Sequence, residues 1–127
     1  MKEELDRIFS IWVRINTSDY NGFVECCYCG KIVHWRESEN CHYIDRRHIV
    51  SRWDEINCNP GHAKCNRIND RLKYRSFLIK KHGELSVLKL EQRKHMVCRL
   101  MSHELEEMIE RYKSEILVLS KQKGLAL

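Results

Sequence analysis

The chain has 127 residues, with 23 Lys or Arg against 18 Asp or Glu, a formal charge of +5. That length suits one compact domain burying a limited share of its surface, for which a metal staple is a useful addition. The longest unbroken apolar runs, such as Ile116 to Leu119, fall far short of the roughly 20 residues that span a bilayer, and the modest basic excess favours a polyanionic partner only weakly over a merely solvated surface.

Leu5, Ile8, Phe9, Trp12 and Val13 recur at spacings of three and four, which predicts an N-terminal helix over about Lys2 to Ile15. The stretch Asn16 to Gly22, NTSDYNG, is rich in turn formers and ends it. From Phe23 to about Cys58 the apolar pairs Phe23–Val24, Ile32–Val33 and Tyr43–Ile44, then Trp53 with Ile56, suggest short strands joined by polar turns. After Pro60 and Gly61, a second helix is expected from Ala63 to His82, stopped by Gly83. Between Glu84 and Lys123 there is neither proline nor glycine. Val97, Met101, Leu105, Met108, Tyr112, Ile116 and Leu119 step through it with a period near 3.67, the pattern of one long, nearly straight amphipathic helix, with Ser102 available to cap a fresh start. Its stripe either packs on its own domain or serves a homodimer. These boundaries divide the chain into a core, residues 1–83, and a C-terminal helical extension, residues 84–127.

Seven cysteines, an odd number, follow an N-terminus, MKEELDRIFS, that carries charge throughout and has no secretory apolar region. Metal binding in a reducing cytoplasm accounts for them better than disulfides formed outside the cell. In ECCYCG, Cys26-x-x-Cys29 precedes Gly30, a tight knuckle in which two thiolates reach one ion. After thirty-two intervening residues, GHAKCN repeats the gap as His62-x-x-Cys65 at an expected helix start. Two matched gaps close a Cys3His tetrahedron around a structural zinc ion, whereas Cys58 and Cys98 lack such partners and suit ordinary buried thiols. Knuckle, hairpin, then a helix whose first turn donates the second ligand pair is the treble-clef order. It lays the hairpin across a helix N-terminus, where free N–H groups favour phosphate.

His42 in CHYID, Asn57 in DEINC and Asn66 directly after Cys65 resemble the His-Asn-Asn signature of the HNH, or ββα-metal, endonucleases. The likeness extends to the phage NinG/Rap recombination proteins. Val13–Arg14, Cys26 to Gly30, Cys41 to Ile44, Arg52 to Asn57, CNRINDRLKYRSFLIKKHG and SHELEEMIERYKSEI follow that family's order over most of residues 5 to 120. The resemblance implies an α+β, zinc-stabilised treble-clef HNH core with an N-terminal helix and a long C-terminal helix. It also implies a metal-dependent DNA endonuclease, a phosphodiester hydrolase working in the cytoplasm of a bacterial or phage-infected cell on branched intermediates such as Holliday junctions or D-loops. Products would carry 5′-phosphate and 3′-hydroxyl ends.

Phosphodiester hydrolysis needs a deprotonated water and a cation near the leaving oxygen. His42 is the expected base, Asn57 the residue whose side-chain oxygen fixes its tautomer, and Asn66 an oxygen ligand to Mg²⁺ or Mn²⁺. Many HNH enzymes place Asp before the base; here Cys41 stands there, and a thiolate is a poor Mg²⁺ ligand. Asp45 or His48 is the candidate to complete the site. Arg46, Arg47, Arg52, Lys64, Arg67, Arg71, Lys73 and Arg75 are the expected phosphate-binding residues. Two rival readings stand beside the nuclease: a non-catalytic, zinc-scaffolded DNA-binding or recombination-accessory protein, and a zinc-stapled protein-interaction module.

Overall fold

The computed structural model describes residues 1–127 as a mixed α+β fold with six helices and two small antiparallel sheets. Helix α1 (Lys2–Thr17) buries Leu5, Ile8, Phe9, Trp12, Val13 and Ile15 along one face, the face that the apolar spacing predicts. It gives way to a turn in which the Asp19 carboxylate accepts the N–H groups of Asn21 and Phe23. Strands β1 (Phe23–Glu25) and β2 (Ile32–His34) then pair antiparallel.

The second sheet joins β3 (Ser38–His42) to β4 (Cys58–His62), with Ser38 opposite His62 and His42 opposite Cys58. Tyr43–Ile44 fall just beyond β3, and Trp53 and Ile56 lie in turns, so neither pair forms a strand. The connection between the two strands instead contains one helical turn, α2 (Ile49–Arg52). Pro60 sits inside β4, opposite Asn40, where a two-stranded sheet leaves an edge that tolerates a missing N–H. Gly61 is required by packing, because a Cβ there would stand 2.8 Å from the Cys41 sulfur.

The helix expected over Ala63 to His82 is two helices, α3 (Ala63–Ile68) and α4 (Arg71–His82). Asn69 takes the left-handed conformation at φ 55°, and the Asp70 carboxylate accepts the Lys73 N–H to start α4. The buried face is therefore Tyr74 and Leu78, while Ile68 and Leu72 point outward.

The continuous helix expected after Glu84 is also broken, into α5 (Glu84–Gln92) and α6 (Ser102–Lys123), separated by a 3-10 turn at Arg93–His95 and an irregular stretch. Val97 and Met101, the first two members of the stripe, are exposed. The break has a packing cause. Val87 and Leu90 of α5 join the cluster around Tyr74, Leu78 and Tyr43, whereas Leu105, Ile109, Tyr112 and Ile116 of α6 join the separate cluster built on α1. One straight rod would not serve both cores. Helix α6 begins at Ser102, but the capping residue is Met101 rather than Ser102: the Glu104 carboxylate accepts the Met101 N–H while the Met101 carbonyl accepts the Glu104 N–H.

Candidate metal centre and polar cleft

Cys26, Cys29, His62 and Cys65 converge, all four ligand atoms lying within 4.8 Å of one another. Four donors at about 2.0–2.3 Å from a tetrahedral ion stand roughly 3.5–3.8 Å apart, so the cluster matches a zinc site with little adjustment. His62 presents Nδ1, 3.4 Å from the Cys29 sulfur. The two sheets place these groups: Cys26 directly follows β1, β4 ends at His62, and the first turn of α3 carries Cys65. Burial on its own would raise the Cys26 thiol, but N–H groups of Cys29, His62 and Tyr28 outweigh it and bring the group down to about 6. Cys65 moves the other way, to about 11, from burial and the neighbouring Cys26 and Cys29 sulfurs. A cation among these thiolates would remove that mutual repulsion. Soft sulfur with one imidazole is a donor set suited to zinc and poorly suited to Mg²⁺.

A second feature lies on the far side of β3, a cleft of about 310 Å³ lined only by polar side chains: Asp6, Ser10, Arg14, Ser38, Glu39, Asn40, His42 and Arg46. His42 is half-buried at its wall, and its Nε2 lies 2.9 Å from the Arg52 carbonyl. A carbonyl only accepts, so Nε2 carries the proton and Nδ1 keeps its lone pair. Burial pushes the imidazole below the usual histidine value, which keeps the ring neutral near pH 7.

The Arg52 carbonyl, not Asn57, is thus what orients His42. Asn57 is fully buried but turns to its own loop, accepting the Ile44 N–H at 2.7 Å and donating to the carbonyls of Ile44 and Ser51. Asn66 donates Nδ2 to Glu39 Oε1 at 3.0 Å, joining α3 to the cleft wall. Asp45 and His48 do not line the cleft. The Asp45 carboxylate binds the N–H and guanidinium of Arg47, and the His48 ring packs edge-on against His95. Cys41 turns inward, against Gly61 and Cys27, so it presents no donor to the cleft.

The expected cationic residues divide in two. Arg52 is held by Asp6 through a bidentate pair, which also receives the Trp53 indole N–H, and Arg75 is held likewise by Glu91. Both are structural braces rather than free cations. Arg46 and Arg47 are exposed beside Asp6 and Asp45, Arg71 lies 4.9 Å over the Tyr43 ring, and Lys64, Arg67 and Lys73 are exposed with no carboxylate partner.

Sequence reasoning missed Glu39, Asp6 and Arg14. Glu39 is visible only once the fold brings α3 against β3, where Asn66 meets it. Arg14 reaches the Trp35 and Ser38 carbonyls from α1, contacts between residues more than twenty apart that no local pattern encodes. No helix of the protein is long and apolar enough to cross a membrane.

No curated protein and no solved structure matches the chain. The family described as Bacteriophage Lambda NinG protein matches residues 1–122, and with nearly the whole chain covered, the protein belongs to that family.

Proposed function

We propose that the protein is a metal-dependent endonuclease of the HNH type that hydrolyses DNA phosphodiesters in phage recombination, acting on branched intermediates. The observation that carries this reading is the environment of His42. Its Nε2–H is fixed by the Arg52 carbonyl, and its Nδ1 makes no hydrogen bond within the chain. It stands in a wholly polar cleft whose wall includes Glu39, tied to Asn66. A neutral imidazole with one nitrogen pinned and the other unengaged suits a general base towards water.

Glu39 and Asn66 supply the hard oxygen donors that Mg²⁺ or Mn²⁺ prefers, and such an ion supplies charge neutralisation at the phosphate and leaving oxygen. The Cys3His cluster serves as zinc scaffold: it fixes the end of β4 and the start of α3, and through α3 the position of Asn66. The order β3, β4, α3 with ligands at its base is consistent with a treble-clef ββα-metal core.

The alternative, a non-catalytic DNA-binding accessory protein, is favoured by one observation, the burial of Cys41 where many HNH enzymes carry a ligand. The two readings separate in a cleavage assay on labelled four-way junction, linear duplex and single-stranded DNA with Mg²⁺, Mn²⁺ or EDTA. The expected outcome is metal-dependent cutting that His42→Ala reduces by a factor of about 100 or more at unchanged zinc content. DNA binding by both proteins with no cutting by either would retire the catalytic assignment.

A further inference from the structure

The corner between α3 and α4 exposes two aliphatic side chains, Ile68 at 67% and Leu72 at 79% of their surface. They are not on a loose loop. The Tyr28 hydroxyl donates to Asn69 Oδ1 at 3.0 Å, the Asn69 N–H reaches the Cys65 carbonyl at 2.9 Å, and Asp70 caps α4. The helix carrying Ile68 starts at two of the four metal-cluster residues, so the corner is braced from below. Around the aliphatic pair stand Lys64, one helical turn before Ile68, then Arg67, Arg71 and Lys73. None of these four has a carboxylate within ion-pair distance, and the one acid of the corner, Asp70, is engaged with the Lys73 backbone.

We infer that this corner is a wedge for branched DNA, in which Ile68 and Leu72 pack against base faces laid open at a branch point while Lys64, Arg67, Arg71 and Lys73 hold the flanking phosphates. The inference rests on the nuclease reading above and names what would make it structure-selective. Charge decides the occupant. A second copy of this chain would bring two such cationic rims together, whereas nucleic acid supplies the missing anions. Shape decides the kind of nucleic acid. In an intact duplex the bases are stacked and the aliphatic pair would face sugar and phosphate, gaining little; at a junction or fork, unstacked bases offer apolar faces that aliphatic wedges occupy. The short helix that ends at Ile68 also carries Asn66, which touches Glu39 of the polar cleft, so corner and cleft share one element.

The test compares wild type, Ile68→Ser/Leu72→Ser and Lys64→Gln/Arg67→Gln for binding to a four-way junction and a linear duplex of the same sequence, in EDTA. A 2-aminopurine placed at the branch point reports unstacking. The aliphatic pair is exposed, so its double variant should keep the melting temperature and zinc content of wild type. Expected is a loss of junction preference of about tenfold in that variant, with the 2-aminopurine signal abolished. Duplex binding, carried by the cations, persists there and falls in the Lys64→Gln/Arg67→Gln variant along with junction binding. An unchanged junction-to-duplex ratio in the aliphatic variant overturns the wedge, as does a loss of self-association with DNA preference intact, which would assign the patch to a second copy. Wild type that ignores every DNA at low salt overturns wedge and nuclease reading together, whereas a His42→Ala protein that keeps the preference without cutting separates the wedge from the chemistry.

Discussion

His42 and Asn57 show how much a single side chain's role depends on its neighbours. Burial lowers the His42 pKa from its usual value of 6.5, against the smaller opposing effect of the Arg52 carbonyl. The unfolded chain therefore takes up this proton at higher pH than the folded one, so the contribution to stability is complete above about 6.5 and is lost as pH falls through the folded value. For the proposed base the same shift places the acidic limb of the cleavage rate below 6.5, with a plateau through neutrality; a limb centred above 7 in a pH–rate profile would exclude His42 as the titrating group. The Cys3His cluster was legible in the sequence down to the pairing of its residues, because matched two-residue gaps have a local geometric meaning. The partner of His42 was not. The motif assigns Asn57 to that role, yet its oxygen is taken by the Ile44 N–H, and a main-chain carbonyl, which no sequence pattern advertises, takes the imidazole instead.

Among the elements, the N-terminal helix was readable because its apolar face repeats from Leu5 to Ile15. The two expected long helices were not, and for one reason: apolar spacing records which residues face a core but not how many cores there are. Asn69 and Asp70 carry the turn chemistry that ends α3, a signal outweighed in the sequence by the continuing pattern through Leu72, which is in fact exposed. The short strands have most to gain from an ion in the Cys3His cluster. Each sheet has two strands, a size that is marginal in water without further support. Removing the ion with a strong chelator, or replacing Cys26 or Cys65 by Ser, should lower the melting temperature by roughly 10 °C or more. It should also loosen β1, β2 and α3 before α1 and α6. Amide exchange resolves that order, and uniform loss of protection would mean that the cluster supports the whole fold equally.

Across the whole molecule the organising contact is that of α1 with α6, where Phe9, Trp12 and Tyr112 form an aromatic nest with ring centroids 4.9–5.7 Å apart. Truncating Tyr112 to Ala should destabilise the protein by about 3–5 kcal/mol, the range for emptying a large aromatic site. Chemical denaturation reads this directly; a change below about 1 kcal/mol would show that the two helices are only loosely associated. The apolar stripe that either packs internally or serves a dimer is covered from Leu105 to Ile116 by the chain's own first helix.

The Lys123 ammonium adds a tie at the far end of that contact, donating to the carbonyls of Ile15, Asn16 and Ser18. These carbonyls lie at the C-terminal end of α1, where a cation is favoured. The residue that closes the first helix is thus translated more than a hundred positions after it. While the chain is still emerging from a ribosome, the four Cys3His residues can already meet, but α1 has neither the apolar cover of α6 nor its terminal cation, and Val24 and Trp35 of the first hairpin region await the same cover. The nascent protein can therefore assemble its Cys3His cluster before its first helix is covered, and a ribosome stalled before α6 would present Leu5, Phe9 and Trp12 to chaperones and proteases.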